Sequence, residues 1–132
     1  MKKSEASHLV TLRGPEVIAF GGLIGPGTYI EHKVKIGGGS FTDGRRLETG
    51  LPEFTINDEE DEYNHKFTPA TGLYMLKGLT AHEYGHVWFT SFSEFKKFRE
   101  RMVDKFEAQG IQPMLAAKVT SHMFNITEDG RI

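Results

Sequence analysis

The sequence contains no cysteine, which excludes disulfides and thiolate metal ligands and leaves His, Asp and Glu as the strong donors for any bound ion. It also lacks a charge of one sign. Sixteen Lys and Arg stand against eighteen Asp and Glu, for a net charge of −2, so there is no basic field to hold a phosphate backbone and nucleic acid is not an expected partner. No apolar run approaches the ~20 residues of a membrane span. The charged opening Met1-Lys2-Lys3-Ser4-Glu5-Ala6-Ser7-His8 is not followed by the apolar stretch of a signal peptide. The expectation is a cytoplasmic protein without a membrane partner. Apolar residues make up only 38% of 132 positions, and 15 are glycine. That predicts one domain with a modest core and a loop-rich part, which a bound metal would help to hold.

What is present changes character near Thr68. Before it, glycines and prolines interrupt short β-like runs. Tyr29 to Ile36 alternates, with Ile30, Val34 and Ile36 on one side and Glu31, Lys33 and Lys35 on the other, as in a half-buried strand. Asp43-Gly44 lies between two short extended stretches and suits the positive φ of a hairpin turn. Leu47 belongs to the next strand, and Phe54 to Ile56 to another. The acidic run Asn57 to Glu62 reads as a solvated loop.

After Thr68 the spacing predicts three helices. The first runs from about Ala70 to Thr90 with apolar residues around its whole circumference, as in a helix buried on most sides. The second starts at the capping-box pattern Ser91-Phe92-Ser93-Glu94, carries Phe95, Phe98, Met102 and Phe106 toward a core, and ends at Gly110. The third starts near Pro113, with Leu115, Val119, Met123 and Ile126 as its apolar set. The predicted class is therefore α+β: a small glycine-rich β-sheet region over residues 1–67, then a helical part over 68–132, in a single domain.

His82-Glu83-Tyr84-Gly85-His86 is an HExxH motif inside the first of these helices. Residues four apart on a helix project in nearly the same direction, so both imidazoles can reach one ion, while Glu83 points about 100° away from His82. Zinc (Zn2+) held by His82 and His86 keeps an open position for water and lowers its pKa toward ~7, and Glu83 stands beside it as the catalytic base. Two histidines four apart can also be coincidence, one near a loop and one satisfied in the core. Burial of two imidazoles and a carboxylate without an ion would be costly, which favours the metal. Gly78 and Gly85 share a side close to the histidines and would allow a backbone to approach there.

A zinc site wants a third protein ligand. The polar face of the last helix, Asn125 to Ile132, offers Glu128 as that ligand, with Asp129 as an acceptor behind the histidines and Asn125 on the face of Glu128. The plain alternative is a pair of solvated acids at a fraying helix end. His122 is the rival ligand.

Leu79-Thr80-Ala81-His82-Glu83-Tyr84-Gly85-His86-Val87-Trp88-Phe89-Thr90, followed after a helical spacer by Asn125 to Ile132, resembles the zincin-like metallopeptidase domains of bacterial and phage proteins, several of which precede a von Willebrand factor A module. The resemblance covers about residues 40 to 132. It implies a gluzincin-type site in which the third ligand is a glutamate on a later helix, the role that Glu128 matches. It also implies an edge strand beside the site, Thr42 to Leu47 or Phe54 to Ile56, to which an extended substrate pairs by strand addition. The proximity of Glu128 to Ile132 suggests a fragment of a longer protein, with a downstream domain as a possible partner.

Other patterns carry less. Gly21-Gly22-Leu23-Ile24-Gly25-Pro26-Gly27 matches no phosphate-binding loop and reads as a flexible loop. The acidic run lacks the order of an EF-hand, so calcium is not expected. Trp88 reads as packing. The expected function is zinc-dependent hydrolysis of a peptide or protein substrate. Tyr63, His65, His122 and Arg131 are all open as stabilisers of the oxyanion. The alternative is a non-catalytic, zinc-stabilised binding or scaffold module of a larger protein.

Overall fold

Where the glycine and proline pattern predicts short extended runs and a loop, the chain forms a helix, α1 (Lys3–Ile24). The computed structural model describes residues 1–27, 29–57 and 67–131. At the start of α1 the backbone N–H of Lys2 donates to Glu5 Oε1 at 3.0 Å, which satisfies one of the orphan donors of a helix end. Pro15 lies inside the helix without ending it. It deletes one backbone donor, and the Arg13 Nε to Glu16 Oε2 bond at 2.6 Å spans it on the outer face. The buried positions are Ala6, Leu9, Gly14, Val17 and Gly21. They recur at helical spacing, but two are glycine, so the stripe has no apolar signature in the sequence. The segment Gly21-Gly22-Leu23-Ile24, expected as flexible loop, is the last turn of this helix.

The extended segments come next. Strand β1 (Glu31–Ile36), strand β2 (Phe41–Thr42) and strand β3 (Arg46–Leu51) form one sheet in the order β1-β3-β2. β1 and β3 are parallel, with Val34 opposite Thr49, and β2 and β3 are antiparallel. The hairpin expected at Asp43-Gly44 is present: Asp43 Oδ1 accepts the N–H groups of Arg45 and Arg46 at 2.9 and 2.8 Å, and Gly44 takes φ +91°. Phe54 to Ile56 is not a strand. Pro52 starts a tight turn over Glu53–Thr55, closed by the N–H of Thr55 on Pro52 O and of Ile56 on Glu53 O, both at 3.0 Å. Of the two edge strands expected, only the stretch beginning at Thr42 enters the sheet, with β2 as one edge.

Three further helices complete the chain, α2 (Pro69–Phe89), α3 (Phe92–Ala108) and α4 (Pro113–Arg131), close to the expected bounds. The architecture is α+β, with four helices and not three among the described residues. The acidic run from residue 58 onward, with Tyr63 and His65, lies outside the described residues, as does Ile132. Among the described residues no helix is long and apolar enough to cross a membrane.

Two compact units are distinguished, Met1–Val87 and Trp88–Ile132. In the first, Met1, Ala6, Leu9, Val17, Leu51 and Leu76 form the core, with Val34, Ile56 and Leu73 packed against it. α1 comes close to α2 through glycines. A Cβ on Gly72 would stand 2.8 Å from Leu9 Cδ2 and from Met1 Cε, and one on Gly21 would stand 2.8 Å from the Tyr84 ring. A Cβ on Gly25 would overlap the same ring outright. Lys77 Nζ reaches Glu16 Oε1 at 2.8 Å. The hydrogen bonds from Arg13 and Lys77 draw the Glu16 carboxyl down to about 2.

In the second unit the apolar face predicted for α4 is on the outside. Leu115, Val119, Met123 and Ile126 are 41% to 74% exposed, while Ala116, Thr120 and Glu128 are buried. Phe95 stacks on Phe124 with ring centroids 4.0 Å apart, so the inward face of α4 is the one about a third of a turn away from the aliphatic stripe. Small and polar side chains let the two helices approach there. None of α3 is fully buried; Phe98, expected in the core, is exposed, as is Trp88. Ser91 occupies the N-cap of α3 without a side-chain capping bond.

The glycine contacts give a paired expectation. Gly21→Ala should destabilise the protein by about 1–3 kcal/mol through overpacking on Tyr84. Gly22→Ala, where an added Cβ meets nothing within 4 Å, should stabilise the same helix by about 0.5–1 kcal/mol. Urea melts of the two variants check this, and equal effects would refute the notch.

Candidate metal centre

The motif lies in the last third of α2. Its helix buries Gly72, Leu76, Thr80, Glu83 and Tyr84, a set spaced by four, four, three and one residues and therefore on one face. His82 and His86 lie on the adjoining face, His82 exposed and His86 half-buried. The two rings converge. Their Nε2 atoms are 3.3 Å apart and the ring planes cross at 87° with centroids 4.9 Å apart. Two nitrogen ligands placed at their usual ~2.0–2.1 Å from a tetrahedral zinc stand about 3.3 Å from each other. The donor pair therefore has the span that a four-coordinate ion needs, and the residues fit the metal on this test.

Glu83 is only 6% exposed. It shares the buried face of α2, a position that keeps a carboxylate beside the histidine face without pointing along it. Tyr84, the variable residue of the motif, is an anchor: its ring fills the space left by Gly21 and Gly25, and burial pushes its phenol above the ordinary value. A Cβ on Gly78 meets nothing within 4 Å, so among the described residues the expected close approach of a backbone there does not occur.

A polar chain runs under the motif. Thr80 Oγ1 lies 2.9 Å from Thr49 Oγ1, and Thr49 Oγ1 lies 2.9 Å from His32 Nε2. Both threonines are fully buried. His32 Nδ1 is buried and has no hydrogen-bond partner among the described residues, and burial lowers the pKa of its ring. Neither Thr49 nor His32 was legible as part of this arrangement, because only the pairing of β1 with β3 brings them together.

In the second unit, Glu128 is 8% exposed. Its Oε2 accepts from Thr90 Oγ1 at 2.8 Å and from Arg131 Nη2 at 2.7 Å, and its Oε1 accepts from Arg131 Nε at 2.8 Å. The same guanidinium donates to the Phe89 carbonyl. The carboxylate in turn raises the Arg131 pKa. Glu128 is thus an ordered, charged group and not a solvated acid at a frayed end. Asn125, Asp129 and His122 are exposed on α4. Thr90 and Arg131 are the partners of Glu128 that the sequence did not single out for that task.

No family model, no curated protein and no solved structure matches the chain.

The lowered pKa of His32 has a definite sign. The folded state binds this proton less tightly than the unfolded chain, so the contribution to stability is complete above the ordinary histidine value of ~6.5 and is lost as pH falls through the lowered folded-state value. A histidine NMR titration should place the His32 midpoint below ~6.5, with thermal stability declining as pH falls from ~6.5 through that midpoint; a midpoint at or above ~6.5 contradicts the burial argument.

Proposed function

We propose that the protein is a zinc-dependent peptide hydrolase of the gluzincin type, with a zincin-like helical part. The observation that carries this reading is the 3.3 Å separation of the His82 and His86 Nε2 atoms next to a buried glutamate in the second position of the same motif. His82 and His86 would hold the metal through these nitrogens. Glu128 is proposed as the third ligand, with Asp129 and Asn125 as polar neighbours. Zinc in that setting supplies Lewis acidity, which polarises a carbonyl and acidifies water.

The remaining work belongs to the chain. The Glu83 carboxylate would accept a proton from water and pass it to the leaving amine. Its burial keeps bulk water from competing for the proton. His82 is on the accessible side of α2, where a substrate carbonyl can come within reach, and the polypeptide would bind as an extended segment. The second reading, a zinc-stabilised module without catalysis, uses the same ligands and differs at Glu83 alone.

Purified protein should take up one zinc per chain, measured by elemental analysis. At free zinc a hundredfold above Kd, binding should raise stability by about 2.7 kcal/mol, and a chelator should remove that increment. His82→Ala and His86→Ala should abolish uptake. Glu83→Gln should keep zinc and melting temperature while peptide cleavage falls by about 10²–10⁴-fold. Zinc uptake without cleavage in the unaltered protein would favour the non-catalytic module, and absence of uptake would sink both readings. Glu128→Gln should weaken zinc binding at least tenfold, on the order seen for altered ligand shells; unchanged affinity would remove Glu128 from the site.

A further inference from the structure

The geometry points to Thr49 as the positioning residue that sets the rotation of α2 about its own axis, and through that rotation the direction in which His82 and His86 face. The consequence for metal binding rests on the zinc reading; the rotation of the helix does not.

Apolar packing through Leu76 and Tyr84 holds α2 but does not alone fix its rotation. Its apolar side chains lie all round, so no stripe selects the inward face. Burial on α2 is divided: Leu76 and Tyr84 are buried, but so are Thr80 and Glu83, while Tyr74 is exposed. Apolar burial thus favours this face without fixing the angle by itself. A directional contact adds to it.

The Thr80 hydroxyl supplies that direction. It meets Thr49 Oγ1 at 2.9 Å inside a region closed to water, where an unpaired hydroxyl is disfavoured and a paired one is tightly constrained. Thr49 is the middle of the inward row Leu47, Thr49, Leu51 of β3, all fully buried, so the sheet offers α2 one polar point between two leucines. His32 Nε2 fixes the same hydroxyl from β1. Each hydroxyl has one proton and two acceptor sites, so Thr49 Oγ1 can serve both neighbours at once, and both contacts restrict its rotation. On an ideal helix His82 and His86 project about 200° and 240° from Thr80, and Glu83 about 300°. Holding Thr80 against Thr49 therefore places the two imidazoles away from the sheet and Glu83 within the buried face. A turn of one residue, about 100°, would break the hydroxyl pair and redirect all three motif side chains. Tyr84 in its glycine notch fixes the axial position of α2; the hydroxyl pair fixes the angle.

Thr49→Val keeps the shape and removes the hydroxyl, and Thr49→Ser restores it. Thr55→Val is the control: Thr55 is buried in the same unit, and its hydroxyl donates to Pro52 O at 2.6 Å, outside the helix-to-sheet contact. Metal-free protein is read by long-range ¹H–¹⁵N spectra of the His82 and His86 rings, and zinc affinity by competition with a chromophoric chelator. Thr49→Val should shift both ring signals and weaken zinc binding about tenfold, with both recovered in Thr49→Ser. Thr55→Val should lower the melting temperature while leaving ring signals unchanged and affinity within about twofold, the small change expected of an independent site. Unshifted rings and unchanged affinity in folded Thr49→Val, or no recovery with serine, would overturn the proposal. Thr80→Ala cuts the same bond from the helix side and is judged by the same outcomes if Thr49→Val does not fold. A protein that binds no zinc would end the metal reading, and the ring signals of the metal-free variants would still decide the rotation.

Discussion

Tyr84 needs room for its ring, and the room exists because Gly21 and Gly25 on or beside α1 have no side chain. This steric condition decides how near α1 and α2 can lie, and the core of the first unit is built to the same spacing: Leu9 and Met1 use the matching gap at Gly72 on the opposite helix. Interiors are packed near crystal density, so a methyl group placed in such a gap is felt at once. The motif is therefore fastened by its own third residue. The chemistry-bearing groups on either side of Tyr84 take their position along the helix axis from a packing contact made with a different helix.

This dependence explains why α1 was not legible while the motif was. The HExxH signal is local: two residues four apart on a helix face one way whatever surrounds them. The inward stripe of α1 has glycines at positions 14 and 21, and a proline stands at 15 on its exposed side, residue types that ordinarily argue against a helix. Their value is realised only when α2 and β1 are already in place, and no pattern within the segment can express that. The parallel pairing of β1 with β3 has the same character. The alternation of Glu31 to Ile36 and the Asp43-Gly44 turn were readable, but not the register that sets His32 near Thr49.

The reverse error occurs in α4. Leu115, Val119, Met123 and Ile126 make a convincing amphipathic stripe, and it faces outward. Helical periodicity identifies the helix correctly, because any regular spacing does so. It cannot tell which of two faces meets a neighbour. Ala116 and Thr120 are small, and they permit an approach of α3 that a row of branched aliphatic residues would hold off. Similarly, Phe54 to Ile56 has strand composition, and the preceding Pro52 directs the backbone into a turn.

Glu128 belongs to a unit whose inner face is mostly polar, and its surroundings show how such a unit is held. With Thr90, Thr120 and Glu128 among its buried groups, the second unit cannot rely on apolar contact alone and must satisfy each polar atom by a bond of defined direction. Packing between aliphatic side chains tolerates small slips; charge-assisted bonds from Thr90 and Arg131 at 2.7 to 2.8 Å do not. The position of the carboxylate is fixed from both oxygens, and Arg131, by also reaching the carbonyl of Phe89, ties the end of α4 to the end of α2. The last turn of α4 is held by the acid it carries.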